Sequence, residues 1–436
     1  MKILCLCDSL TTTTGFAKVA TNLINRWTAL GAEVHIWGIG FLGYKYREHP
    51  NVLLMPAGTG RQQDHWASLE RLSLFLGQLQ VGGYTHVWIM QDTFLLVGYD
   101  FPRTLRRLCR EHKIRSLLYF PVDAPLEPGW TDILAAVDVP VAYTEFGRAE
   151  AKKKLARRKA DIRELNTRCD AEGKPEAKLD MADLNYDVEV KVLPHGVDPK
   201  IFHPLEDRAG LRKNFWKSEW LGPEDFLLVN VNVNQRRKDV TRSLEILSGL
   251  KAKGVPAKLV MHMRRTSESG LNLLHVGNQL GLEYNRDWTD HDPVFTAGSA
   301  HAGFSEAQMC QLYNIADLYL TTSLGEGWGL GITEALACGT PVALPCHTSC
   351  GEIGQRAGAE GLEQNIVLLP GEPGHVVQES DNSRLRQRVD LPQAIEAIGS
   401  YWSQGLHKKR PPLSPTIRQW LDWDRIAGAM LEWMKG

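Results

Sequence analysis

Short apolar runs alternate with amphipathic stretches along both halves of the chain. Residues 2–7 (KILCLC), 33–39 (EVHIWGI), 86–90 (HVWIM), 116–122 (SLLYFPV) and 139–144 (VPVAYT) are apolar with little alternation. That pattern predicts strands covered on both faces, as in a parallel sheet. Residues 8–15 read as a turn, followed by a helix from about Phe16 to Leu30 that Gly31 ends. Residues 191–198 (KVLPHGVD) close this series with a strand and a turn. The pattern then restarts. Strands are predicted at 225–233, 258–263, 293–298 and 317–323, with an amphipathic helix over 240–254 and another helix over 305–316. Two successive series of this kind predict an α/β protein of two doubly wound, Rossmann-like domains, with a ligand cleft at the strand carboxyl ends.

Two segments break the rhythm. Residues 148–168 (RAEAKKKLARRKADIRELNTR) hold nine basic and three acidic side chains, a net +6, and read as a polar helix. With the polar loop after it, this makes a basic insertion at about 148–189. Residues 407–415 (HKKRPPLSP) form a proline-rich linker before a last amphipathic helix from about Thr416 to Lys435. The predicted domains are therefore 1–198, 199–415 and a C-terminal helix within 416–436.

A length of 436 residues exceeds what one hydrophobic core supports. With 43% hydrophobic and 23% charged residues the chain is an ordinary globular one, which excludes the disordered and fibrous classes. A net charge of -1 gives no global attraction to nucleic acid or membrane. Asp8 interrupts the N-terminal apolar run too early for a signal-peptide core, and no apolar run approaches the ~20 residues of a membrane span. A cytoplasmic location is the expectation. The eight cysteines match no zinc spacing and are expected to be reduced, and a facing pair at Cys346 and Cys350 is too little to indicate a disulfide. No metal ligand set is assigned.

The densest chemistry lies at Glu326–Glu334, EGWGLGITE, followed by ALACGTP. Gly327, Gly329 and Gly331 separate the two acids and let backbone amides approach a ligand closely. A helix beginning near Gly331 would turn its unpaired N–H groups and positive dipole end toward that loop, which suits a phosphate. Glu334 is then expected in the first helical turn and Glu326 at the start of the loop. A ligand with an anionic middle and a hydroxyl-bearing group at each end fits this arrangement, which describes a nucleotide sugar. Gly329, Leu330 and Gly331 are the donor-binding backbone candidates. After the 225–233 strand comes NQRRKD, which puts Arg236, Arg237 and Lys238 at the opening of a helix. Cations there oppose the helix dipole, so an anionic ligand accounts for them better than solvent does. Asp92 and Asp123 stand at strand ends in the first half. A turn before Pro125 explains Asp123 as well as function does.

The Glu326–Glu334 segment resembles the Glu-x7-Glu signature of retaining glycosyltransferases of family 4, which have the GT-B fold. The resemblance implies two Rossmann-like domains facing a central cleft, a nucleoside-diphosphate sugar as donor, and no metal or other cofactor. It implies that Glu334 binds the donor ribose and that Glu326 contacts the transferred sugar. The family's arginine–lysine pair maps to Arg237 and Lys238, with Arg236 as a rival. The loop Asp8–Phe16 is similar to the family's first glycine-rich loop but keeps a single glycine, Gly15, among four threonines. Asp123 stands near the place where many members have a histidine that meets the sugar, so Asp123 is expected to bind a sugar hydroxyl or orient the acceptor. LPHGVD resembles the inter-domain connection, with His195 for the usual asparagine. Arg264 ends a strand within reach of base or diphosphate, and residues 295–301 occupy the place of a base-stacking loop. The family's terminal helix packs back on the first domain, and Trp423–Asp424 fits it.

The implied activity is transfer of a sugar to a hydroxyl. The acceptor is expected to be a glycan or small molecule, with a hydroxylated DNA base as the alternative that the basic 148–168 segment suggests. A sugar-nucleotide epimerase or hydrolase would keep the phosphate cluster but need acid/base groups around the sugar. A sensor would bind without turnover. Sugar, nucleoside and oligomeric state are not legible.

Overall fold

Two separate parallel sheets organise the chain, each in its own unit. The computed structural model describes residues 1–41, 52–56, 72–98, 100–179, 183–215, 220–267, 270–290, 304–377 and 383–436. The first unit comprises Met1–His195 and Trp423–Gly436, the second Gly196–Asp422.

The first sheet holds β1 (Lys2–Asp8), β2 (Glu33–Ile39), β3 (Val52–Pro56), β4 (His86–Met90), β5 (Arg115–Phe120), β6 (Val139–Ala142) and β7 (Lys191–Val192). Their order is β3-β2-β1-β4-β5-β6-β7, parallel throughout. Residues from Ile3 to Cys7 are almost wholly buried, as expected for a central strand clad on both faces. Helices α1 (Gly15–Ala29), α2 (Leu72–Val81), α3 (Phe101–Glu111), α4 (Asp132–Ala136) and α5 (Glu145–Ala171) belong to the same unit. The threonine run before α1 does local structural work. The Thr14 hydroxyl accepts the Ala17 N–H at 3.1 Å, capping the helix, and donates to Asp8 at 2.5 Å.

The basic segment is a helix, with Leu155 and Ile162 buried. Its charge is partly spent within the fold. Arg158 forks onto Asp132 at 2.8 and 2.9 Å and Arg157 pairs with Asp161 at 2.8 Å. Lys154 reaches Glu150 at 3.6 Å, and Arg148 and Lys159 pair with Glu145 and Asp187.

The second sheet holds β8 (Phe226–Val231), β9 (Ala257–His262), β10 (Trp288–Asp290), β11 (Leu318–Leu320), β12 (Val342–Pro345) and β13 (Ile366–Leu369), in the parallel order β10-β9-β8-β11-β12-β13. Side chains alternate between faces. Leu228 accordingly packs with Leu244, Leu247 and Leu259 on one side, while Leu227 and Val229 pack with Leu312 and Ile315 on the other. The helices are α6 (Arg208–Phe215), α7 (Val240–Ala252), α8 (Leu273–Gln279), α9 (Glu306–Ile315), α10 (Leu330–Ala337), α11 (Thr348–Ala357) and α12 (Leu391–Ser403). In both sheets the strand order reverses beside the first strand, at β1/β4 and at β8/β11, which is where loops diverge and ligands enter such folds.

Several expectations need amendment. β3, β10, β12 and β13 were not foreseen, and the strand predicted at 293–298 and the loop at 295–301 lie outside the described residues. The single terminal helix is two: Pro415–Trp420 in the second unit and Trp423–Lys435 in the first. That last helix is bound into the first unit. The Trp27 indole N–H donates to the Ala427 carbonyl at 3.1 Å and Arg115 Nε to that of Trp433 at 2.9 Å. Arg26 meets Asp424 at 2.6 Å. All eight cysteines are free thiols, with Cys346 exposed. Among the described residues no helix is long and apolar enough to cross a membrane.

Candidate functional site

The switch point of the second sheet lies between β8 and β11, and the loops that leave these two strands meet there. The loop after β8 tightens into a 3-10 turn at Arg236–Lys238 and passes through Asp239, at φ 41°, into α7. The loop after β11 holds this turn by its backbone. Leu324 N–H donates to the Arg237 carbonyl at 2.9 Å, and the Thr322 hydroxyl donates to the Asp239 carbonyl at 2.9 Å. Asn234, fully enclosed, ties in the loop after β9. Its amide donates to the carbonyls of Arg264 at 3.1 Å and Leu271 at 2.7 Å and accepts the Leu271 N–H at 3.1 Å. Arg264 is thereby carried beside the basic turn, with its side chain exposed.

Lys238 Nζ lies 2.5 and 2.6 Å from the two carboxylate oxygens of Glu326. Arg237 donates to the Gly325 carbonyl at 2.7 Å and stands 3.8 Å from Glu326 Oε2. Glu326 is only 7% exposed, so its charge needs these partners. Burial by itself pushes the Glu326 carboxyl up, but the Lys238 ammonium and Arg237 guanidinium outweigh it and hold the group below the usual carboxylate range. The backbone on either side is pinned. Glu326 N–H donates to Thr348 Oγ1 at 3.2 Å, and the Ser349 hydroxyl lies 2.9 Å from the Glu326 carbonyl and 2.8 Å from that of Trp328. Glu326 is thus the protein's own counter-ion for the basic turn, a relation the sequence did not reveal.

Glu334 is the fifth residue of α10, just past the first turn where it was expected, because the helix starts one residue earlier, at Leu330. Gly329 precedes it at φ 94°, a conformation in which a side chain is strained. Gly331 has an internal reason as well: a Cβ there would stand 2.7 Å from the Tyr319 hydroxyl and 3.2 Å from that of Tyr313. The Tyr313 hydroxyl donates to Glu334 Oε2 at 2.9 Å and so aims the carboxylate. Tyr319 lies within the field of both acids. Burial first, then the charges of Glu326 and Glu334, push its phenol well above the ordinary value.

The structure therefore brings Arg237, Lys238 and Glu326 together, and Gly329, Leu330, Gly331 and Glu334 follow on the same loop and helix. Gly15 and Asp123 belong to the first unit. Gly15 is the exposed first residue of α1, and Asp123 is half-buried just after β5. His195 is packed between Tyr143 and Trp423 with its Nδ1 2.7 Å from the Tyr119 hydroxyl, as suits a structural role. Tyr313, Asn234, Asp239, Thr348 and Ser349 were not foreseen. Asn234 and Asp239 bound the NQRRKD motif, and the polar run His347-Thr348-Ser349 at the start of α11 is the sequence signal for Thr348 and Ser349. Among the described residues no group of three or more His, Cys, Asp or Glu is placed to hold a metal ion.

Residues 212–353, which contain this whole constellation of the second unit, match the family model of glycosyl transferases group 1. A GDP-mannose-dependent alpha-(1-6)-phosphatidylinositol dimannoside mannosyltransferase of Mycobacterium tuberculosis is 30% identical over 161 residues, 37% of this chain and 36% of that protein. A D-inositol 3-phosphate glycosyltransferase of Segniliparus rotundus is 28% identical over 232 residues, 49% of this chain and 47% of that protein. The chain thus spans between a third and a half of the length of these curated relatives. Among solved structures, sucrose-phosphate synthase from Thermosynechococcus elongatus matches 100% of this chain and 98% of its own with a TM-score of 0.67 and 14% identity, a likeness of fold. The chain has the GT-B fold, and within its second unit residues 212–353 resemble the glycosyl transferases group 1 family.

Proposed function

We propose that this protein transfers a sugar from a nucleoside-diphosphate sugar to a hydroxyl acceptor, with retention at the anomeric carbon and without a metal ion. The observation that carries the reading is the meeting of Arg237, Lys238 and Glu326 at the β8/β11 switch point. Breaking the bond between sugar and diphosphate builds negative charge on the leaving phosphate. Stabilising that charge with fixed groups in an enclosed site is the largest lever such an enzyme has. Lys238 supplies a point charge and Arg237 a fork of donors. The first amides of α10, at Leu330 and Gly331, add the positive end of a helix. Glu334 accepts hydrogen bonds from the ribose hydroxyls, and Glu326 meets the transferred sugar while balancing the cations. Arg264 reaches toward base or diphosphate. In the first unit, Gly15 lets the backbone approach donor or acceptor, and Asp123 orients a hydroxyl. The leaving phosphate itself takes the acceptor proton, so no protein nucleophile is required.

For the acceptor we favour a small-molecule or glycan hydroxyl. Both curated relatives are named for inositol-containing acceptors, and five of the nine basic side chains of 148–168 are already in ion pairs, which weakens the case for DNA. The test is a thermal-shift panel of nucleoside diphosphates and nucleotide sugars with and without chelator. A ligand that binds only the folded state raises its unfolding temperature. The expected result is stabilisation by one nucleoside diphosphate and its sugar, unchanged by chelator, followed by transfer when an acceptor polyol is added. No stabilisation by any member of the panel overturns the reading. Dependence on magnesium overturns the metal-free part of it.

A further inference from the structure

Asp239 directly follows Lys238 and adopts the left-handed conformation, φ 41° and ψ 42°, which is uncommon outside glycine although aspartate tolerates it better than most residues. An aspartate at the start of a helix ordinarily caps it, yet Asp239 makes no side-chain cap to α7. Its carboxylate turns instead to Arg388, whose Nε lies 2.7 Å from Oδ2 and whose Nη2 lies 3.2 Å from Oδ1. Such a two-pronged contact fixes orientation as well as distance. Arg388 stands 149 positions away and outside the segment that matches the family model. Its backbone is anchored in turn, because its carbonyl accepts the Glu372 N–H at 2.7 Å. Glu245 Oε2, 3.7 Å from Arg388 and 2.9 Å from Arg242, adds further charge balance.

We infer that Arg388 is a positioning residue for the basic turn: by holding Asp239 in its left-handed conformation it sets where Lys238 and Arg237 present their charges. Lys238 sits between two restraints. The loop after β11 grips the carbonyls of Arg237 and Asp239, and Arg388 grips the Asp239 side chain. Arg388 acts on the leaving group only through that backbone. The inference rests on the proposed transfer reaction and names a residue which that reading does not require.

The experiment compares wild type with Arg388→Ala, Arg388→Lys, Asp239→Asn, Asp239→Gly and the Arg388→Ala/Asp239→Asn double variant. Three quantities are read: thermal unfolding, affinity for GDP and UDP by calorimetry, and the initial rate of nucleoside-diphosphate release from the nucleotide sugar that wild type turns over. Small misplacements of a charge-stabilising group cost roughly tenfold to a hundredfold in rate. Arg388→Ala and Asp239→Asn should each lower kcat about tenfold or more, with KM little changed. Arg388→Lys should recover part of the loss, and the double variant should be no slower than the slower single. Asp239→Gly, which accepts the backbone conformation without strain, should stay fully folded and still be slow. If Arg388→Ala changes only the unfolding temperature and keeps kcat within about twofold of wild type, the positioning role is wrong. Multiplying losses in the double variant also overturn it. A wild type that neither binds GDP or UDP nor turns over any nucleotide sugar overturns the transfer reading itself, and this role with it.

Discussion

Lys238 and Glu326 neutralise each other inside the second unit, with the ammonium 2.5 and 2.6 Å from the two carboxylate oxygens. Removing either side chain takes from the other its closest partner. A single substitution at either position therefore reports on stability and on chemistry together.

Lys238→Ala should lower stability by about 3–5 kcal/mol, because an enclosed carboxylate loses its closest partner. It should also reduce turnover on the order of a hundredfold, as loss of one transition-state stabiliser does. Adding Glu326→Gln should restore most of the stability and none of the turnover. Urea unfolding and initial rates separate the two effects. A double variant as unstable as Lys238→Ala alone would show that the ion pair is not the source of the loss.

Glu334→Ala should weaken nucleoside-diphosphate binding by about 1.5–3 kcal/mol, the worth of hydrogen bonds to a charged group. Tyr313→Phe, which removes only the 2.9 Å bond that aims the carboxylate, should cost about 1 kcal/mol. Binding of inorganic pyrophosphate should be unchanged in both. If pyrophosphate binding falls in step with that of the nucleotide, Glu334 does not read the ribose.

His195 is enclosed, and burial lowers its pKa from 6.5 to about 3. The unfolded chain therefore binds a proton between those values that the folded chain refuses. The folded state is favoured fully above pH 6.5, and this contribution is lost as pH falls toward 3, by about 1.4 kcal/mol per pH unit. His195→Asn should flatten the dependence of unfolding free energy on pH over that window while leaving the alkaline side unchanged. Urea midpoints at several acidic values, compared with wild type, give the slope. Equal slopes in both proteins would remove His195 as the cause.

Cys346 is the one exposed thiol of the eight. An aromatic disulfide reagent at neutral pH should modify one thiol rapidly in the folded protein and the rest only on unfolding. Cys346→Ser should abolish the rapid phase. Two or more rapid equivalents in the wild type would contradict the burial of Cys350 and its neighbours.

The periodicity of the chain was enough to locate β1, β2, β4, β8 and β9 almost to the residue, since long apolar runs in a parallel sheet leave little ambiguity. It failed at β10, only three residues long, whose identity as a strand comes from pairing with β9, whereas β11 falls within the run predicted at 317–323. β12 and β13 are four residues each, too short for a period to show. In the site, the basic turn and the Glu326–Glu334 loop were legible because their neighbours in sequence are also their neighbours in space. Partners brought in from afar were not. Tyr313 reaches Glu334 across 21 positions and Arg388 reaches Asp239 across 149, and no local pattern encodes such contacts. Gly331 was read as making room for a ligand, whereas its closest approach is to Tyr319.

The first unit is built from both ends of the chain. Trp27 buries its indole against Ala427, and Arg115 is tied to the carbonyl of Trp433, so the cladding of α1 and the edge of β5 remain incomplete until Trp423–Lys435 exists. During synthesis the ribosome must first make the 227 residues of Gly196–Asp422, which at ordinary elongation rates occupies roughly 10–45 s. For that interval the first-made half of the protein presents an unsatisfied indole and an open apolar stripe, while the second half, contiguous in sequence, is free to fold as it emerges. Completion of the first unit thereby waits until the second unit has been synthesised.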